Sequence, residues 1–76
     1  MPITVKFFAS LREQLKSPVS QIDSAGIATV ADVWNAAADI PIPDHVLCSV
    51  NLDHCTTTGA VKEGDEVAFF PPITGG

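Results

Sequence analysis

The sequence predicts an α+β domain in which one sheet carries one main helix. Three observations lead there. Ile3, Val5 and Phe7 alternate with Thr4, Lys6 and Phe8, the period of two that sends successive side chains to opposite faces of a strand. Val30, Val33, Trp34 and Ala37 fall at i, i+3, i+4 and i+7, one face of an amphipathic helix. Glu66 to Phe70 is again strand-forming and is cut off by Pro71-Pro72, whose nitrogens have no hydrogen to give a ladder.

The remaining elements follow in chain order. Ser10 lies three residues before Glu13, the spacing of a capping box, and Leu11 and Leu15 are one turn apart. A short additional helix is therefore expected from Ser10. Ser17-Pro18 is expected to stop it, because the residue before a proline is pushed out of the helical region. Val19 to Asp23 reads as a weaker second strand. Thr29 and Asp32 repeat the cap-plus-acid start for the main helix, and Pro41 and Pro43 are expected to end it. Leu47 to Leu52 is strand-like, and Lys62-Glu63-Gly64-Asp65 is a turn signal. There are no repeats, low-complexity stretches or linkers. One domain over residues 1–70 is expected, followed by an extended tail over 71–76.

A helix of this length covers only one face of a sheet. If Ile3, Val5 and Phe7 face it, Phe8 is on the other side. In the last strand Val67 and Phe69 share one face, Ala68 and Phe70 the other. Phe8 and Phe70 are thus expected on an open face, an apolar patch suited to a partner. The alternative is that one of them folds back over an edge of the core.

Composition narrows the function. With 76 residues, 46% of them apolar and 17% charged, the chain is expected to fold compactly. A domain of this size has little room for an enclosed active site. The net charge of -5 sets nine acids against Lys6, Arg12, Lys16 and Lys62, so no basic run tracks a phosphate backbone and nucleic acid is not an expected partner. A protein with a basic docking surface suits such a chain. No apolar run approaches the roughly 20 residues of a membrane span. The opening Met1-Pro2-Ile3-Thr4 does not resemble a signal peptide, so the expected location is the cytoplasm, away from membranes. There Cys48 and Cys55 are expected as free thiols, a disulfide being the alternative.

The tail carries the chemistry. Pro71-Pro72 favours an extended polyproline-type backbone of about 3.1 Å per residue, so six residues project on the order of 18 Å. Gly75 and Gly76 lack Cβ atoms and can enter a narrow channel. The carboxylate of Gly76 is the one reactive group on this stretch. Carboxylates are poor electrophiles, but ATP converts one to an acyl-adenylate, which a sulfur nucleophile then turns into a thiocarboxylate.

Three stretches resemble the small subunit of molybdopterin synthase: Val5-Lys6-Phe7-Phe8-Ala9-Ser10-Leu11-Arg12-Glu13, then Ser49-Val50-Asn51, and most specifically Glu63-Gly64-Asp65-Glu66-Val67-Ala68-Phe69-Phe70-Pro71-Pro72-Ile73-Thr74-Gly75-Gly76. From about Val19 to Val46 the match is one of pattern only. The resemblance implies a ubiquitin-like β-grasp fold and adenylation of Gly76 by an adenylyltransferase related to ubiquitin-activating enzymes. It implies a sulfur donor protein that converts the adenylate to a thiocarboxylate. Docked on the large synthase subunit in a heterotetramer, the tail would give its sulfur to cyclic pyranopterin monophosphate. Phe8, Phe70, Pro71, Pro72, Ile73, Thr74 and Gly75 are the expected partner-binding residues. On this reading the chain is a non-catalytic, sulfur-donating subunit that holds no cofactor of its own, the ATP belonging to the activating enzyme. The sulfur carrier of thiamine biosynthesis, a conjugating ubiquitin-like modifier and a passive interaction module remain alternatives.

The weaker signals point to structure. His45, Cys48, His54 and Cys55 lie close in sequence but match no zinc spacing, and adjacent His54 and Cys55 would face opposite ways on a strand. No metal is expected. Cys48 shares parity with Val50 and reads as a small core residue, with Cys55 in or beside a turn. Trp34 reads as core. Arg12 either meets acidic residues of a partner or lies along the surface.

Overall fold

A strand with three apolar side chains on one face and polar ones on the other needs a cover for one side only, and the fold supplies that cover once. The computed structural model describes residues 1–15, 19–44 and 46–71. Its elements are β1 (Ile3–Phe7), α1 (Ser10–Gln14), β2 (Gln21–Ile22), α2 (Val30–Ala37), β3 (Leu47–Val50), β4 (Asp53–Cys55) and β5 (Glu66–Phe70). The strands form one sheet in the order β2-β1-β5-β3-β4. The two terminal strands, β1 and β5, run parallel, with Thr4 beside Glu66 and Phe7 beside Phe69. All other neighbours are antiparallel. Parallel neighbours require a crossover, and α2 lies in the connection between β1 and β5. The last strand is therefore internal to the sheet, flanked by β1 and β3.

The helix α2 starts where Thr29 and Asp32 predict. The Thr29 hydroxyl accepts from the Asp32 amide at 3.3 Å, while the Asp32 carboxylate accepts from the Thr29 and Ala28 amides at 3.1 and 3.0 Å. These bonds, that from Ala28 first, hold the Asp32 carboxyl below its ordinary value, since they favour the ionised form. Val30, Val33, Trp34 and Ala37 are all buried. Trp34 meets the rings of Phe7 and Phe69 edge-on, with centroids 5.4 and 5.0 Å away. Its indole nitrogen donates to the Ile40 carbonyl at 2.8 Å, so the buried polar tip is satisfied. Ile3, Val5, Leu11, Val67 and Phe69 complete the core beneath the helix. Each such side chain contributes about 1.5–3 kcal/mol by leaving water.

Several boundaries differ from expectation. Ser10 is the first residue of α1 and not its cap. Ala9 takes the cap position with φ 53° and ψ −131°, and no side chain bonds the helix start. The helix ends at Gln14 because Leu15 is already extended, which lets both Leu11 and Leu15 reach the core. Ser17 and Pro18, expected to stop it, lie outside the described residues. The prolines do not end α2 either: Ala38 is extended four residues after Trp34, and its amide closes the last turn on the Trp34 carbonyl at 2.8 Å. The second strand shrinks to Gln21–Ile22, where only Ile22 has a core position to fill.

The largest departure is β4. The strand expected to run to Leu52 stops at Val50. Asn51 and Leu52 both take positive φ, 51° and 73°, the backbone of a two-residue hairpin whose twist suits antiparallel strands. Asp53–Cys55 then pairs back on β3, so Cys55 is the last residue of a strand and lies beside the turn that follows it, not in it. Leu52 at the tip is 83% exposed.

Candidate functional site

The site is built by register. Leu47 of β3 lies opposite Phe70 of β5, and Phe70 stacks on Phe8, which follows β1, at 4.9 Å with the rings 7° from parallel. Side-chain parity sets all three on the face away from α2. Leu47 is 38% and Phe8 41% exposed, and Phe70 is half-buried. An apolar row thus crosses three neighbouring strands at the end of the sheet where β5 runs into Pro71. The expectation for Phe8 and Phe70 is met, and neither folds over the core. Ala68 and Ser49 share this face but are buried, short side chains shaded by longer neighbours. Beyond them the face turns polar, with Lys6 paired to Glu66 at 3.6 Å and His54 beside Ser49.

Phe8 is held there by a strained corner. The Leu11 amide bonds the Phe8 carbonyl at 3.2 Å, and Ala9 sits between them with positive φ. This is the turn in which glycine is usual at the first central position. An alanine there stores strain. Beside it, Lys6, Phe8, Arg12, Val19 and Ser20 line a groove of about 330 Å³. Arg12 therefore shares a groove with Phe8, at one end of the apolar row.

The start of β5 is fixed as firmly. Lys62 to Asp65 form a turn closed by the Asp65 amide on the Lys62 carbonyl at 3.2 Å, with Gly64 at φ 84°. The buried Asp65 carboxylate accepts from the Lys62 amide and from the Asn51 side chain, each at 3.0 Å. Asn51 in turn accepts from the Glu66 amide at 3.0 Å. The bond from Lys62, then that from Asn51, holds the Asp65 carboxyl below its ordinary value. The hairpin tip and the entry to β5 are thereby joined.

Of the residues expected to bind a partner, Phe8, Phe70 and Pro71 come together at one end of the sheet. Pro72, Ile73, Thr74, Gly75 and Gly76 lie outside the described residues. Leu47, which completes the row, went unread in the sequence. Its signal was available, since Leu47 has the opposite parity to Cys48 and Val50 and so belongs to the open face. Asn51 and Asp65 were also unread as a pair, because 14 residues separate them. Among the four potential metal ligands, Cys48 and Cys55 face each other on the core side with sulfurs 3.7 Å apart. His54 lies opposite Ser49, on the other face, and His45 is outside the described residues.

A mixed five-stranded sheet covered by one helix, with the last strand internal and running out beside an open apolar row, defines a ubiquitin-like β-grasp protein. The solved structures agree: the crystal structure of SAMP1 from Haloferax volcanii superposes with a TM-score of 0.74 at 30% identity, over 100% of both chains. Residues 5–76 match the ThiS family. The molybdopterin synthase sulfur carrier subunit of Drosophila erecta is 33% identical over 97% of this chain and 90% of its own length. That of Escherichia coli is 33% identical over 97% of this chain and 99% of its own. The chain belongs to the ThiS family.

Proposed function

We propose that this chain is the sulfur-carrier subunit of a molybdopterin synthase. In this reading residues 71–76 form an extended tail beyond the domain of residues 1–70, and Gly76 carries the sulfur. An adenylyltransferase joins the Gly76 carboxylate to the AMP of ATP, releasing pyrophosphate. A sulfur donor then displaces AMP and leaves a thiocarboxylate. The row of Leu47, Phe70 and Phe8 docks first the activating enzyme and then the synthase large subunit, in the cytoplasm. Bound to that subunit, the thiocarboxylate gives its sulfur to the pyranopterin substrate.

The observation that carries this reading is the alignment with sulfur carrier subunits over nearly the whole chain, in a family match that extends through Gly76. The site geometry supports it. The glycines follow an internal, well-anchored strand, so the tail has a fixed origin beside the docking surface. Deleting Gly76, or adding one residue after it, should abolish molybdopterin formation in an assay reconstituted with activating enzyme, sulfur donor and large subunit. The circular dichroism spectrum should not change. Normal product from either variant overturns the proposal.

The likeness to the archaeal modifier protein favours a second reading, in which the activated glycine is joined to lysines of other proteins. Isopeptide-linked adducts in the same mixture, with no molybdopterin formed, would select it.

A further inference from the structure

Cys48 and Cys55 are directly opposite one another on β3 and β4. Opposite residues of an antiparallel pair have Cα atoms about 4.5–5.5 Å apart, within the span of about 4.4–6.8 Å that a disulfide bridges. Both side chains point to the same face, and the sulfurs are 3.7 Å apart, so closure needs side-chain rotation and no rearrangement of the sheet. Both cysteines are free thiols. The Cys48 thiol also donates to the Cys55 carbonyl at 3.1 Å, which holds the two groups in register.

The two thiols differ in access. Cys48 is buried and Cys55 half-buried. Cys55 lines a surface cleft of about 410 Å³ together with Ile42, Pro43, Val46, Leu47 and Thr57. Burial, then the neighbouring Cys55 thiol, pushes the Cys48 thiol up to about 12, so it is a poor first nucleophile. Cys55 is thus the entry point and Cys48 the partner behind it.

We infer that Cys48 and Cys55 form a reversible dithiol–disulfide site that reacts with low-molecular-weight disulfides through Cys55. The Cys55 thiolate attacks one sulfur of the small disulfide, forming a mixed disulfide and expelling one thiolate. Cys48 loses its proton and attacks the Cys55 sulfur, expelling the second thiolate. In sum two protein thiols become one disulfide, and one small disulfide is reduced to two thiols. The product links β3 to β4 beside Leu47 and fixes the hairpin at the edge of the docking face. This site is separate from the proposed tail chemistry, and its failure would leave that reading untouched.

Oxidised glutathione is the probe. The folded full-length chain is incubated with it, and intact mass, free thiols and melting temperature are followed. The expected product is a monomer lacking two hydrogens, with no titratable thiol, a higher melting temperature, and full reversal by dithiothreitol. Cys48→Ala should stop at one glutathione on Cys55. Cys55→Ser should react at least about ten-fold more slowly, its remaining thiol being buried. A wild-type chain that accumulates a glutathione adduct without closing, links into dimers, or reacts only after denaturation overturns the inference. The wild-type experiment decides even if a variant fails to fold.

Discussion

The sheet carries the same aromatic pair twice. Phe7 stacks on Phe69 with centroids 5.5 Å apart, and one residue on, Phe8 stacks on Phe70 at 4.9 Å. The pairs share composition and adjacent positions in the chain, but lie on opposite faces. The first is sealed beneath α2 by Trp34; the second is left open with Leu47. The same kind of contact is therefore sealed into the core on one side and left open to solvent on the other, and the position of a single helix decides which. A domain this small cannot cover both faces. The surface it leaves uncovered lies at the end of the sheet where β5 reaches Pro71.

Substitutions that separate the pairs test this contrast. Phe69→Ala should cost about 3–5 kcal/mol of stability, as large-to-small changes at buried aromatic sites do. A marginal domain with that loss is substantially unfolded at 37 °C, which thermal or urea denaturation reads directly. Phe70→Ala should lower stability by only about 1 kcal/mol, the scale of one stacked aromatic pair. It should weaken binding to the large subunit by roughly 1–3 kcal/mol, measured by calorimetry, as loss of an interface anchor does. If Phe70→Ala unfolds the chain while Phe69→Ala only weakens binding, the faces have been assigned the wrong way round.

A smaller effect should come from acid. Asp32 and Asp65 both ionise below the ordinary 3.8 in the folded chain, so the unfolded chain binds more protons as pH falls toward that value. Their contribution is present in full above about pH 4 and is lost as pH drops through the lowered folded values. Asp65→Asn should flatten that part of the stability–pH curve, because it removes one of the two titrations. An unchanged curve would show that the Asn51–Asp65 link does not bear on folding. The smallest expected change is a gain. Ala9→Gly relieves about 1–3 kcal/mol of backbone strain, offset by about 0.5–1 kcal/mol from the freer unfolded chain. The melting temperature should rise slightly, with partner binding unchanged if Phe8 keeps its place.

Periodicity made the core legible. The stripe Val30, Val33, Trp34 and Ala37 and the parity of Phe7 against Phe8 depend only on local geometry, and the structure reproduces both. The cap at Thr29 was legible for the same reason, since its partner Asp32 is three residues away. What the sequence hid depended on distance or on residues in unusual backbone. Asn51-Leu52 lacks the glycine that usually marks a two-residue hairpin, so the loop was absorbed into one longer strand ending at Leu52, β4 went unread, and Cys55 was placed in or beside a turn. Ala9 occupies a glycine-type corner, which shifted the cap of α1 from Ser10. The facing of Cys48 and Cys55 followed from the same missed hairpin. Of the site, Phe8 and Phe70 were read by parity; Leu47 could have been set on the open face the same way, but its place beside Phe70 depends on β3–β5 register.

The contrast between the faces matters to function only if Gly76 carries sulfur. The direct measurement is intact mass of the full-length chain after incubation with ATP, activating enzyme and sulfur donor. One sulfur should replace one oxygen, the change should map to Gly76, and Cys48→Ala, Cys55→Ser should gain the same mass. A chain of unchanged mass beside an active control carrier, or added sulfur found on a cysteine and not on Gly76, would contradict the account.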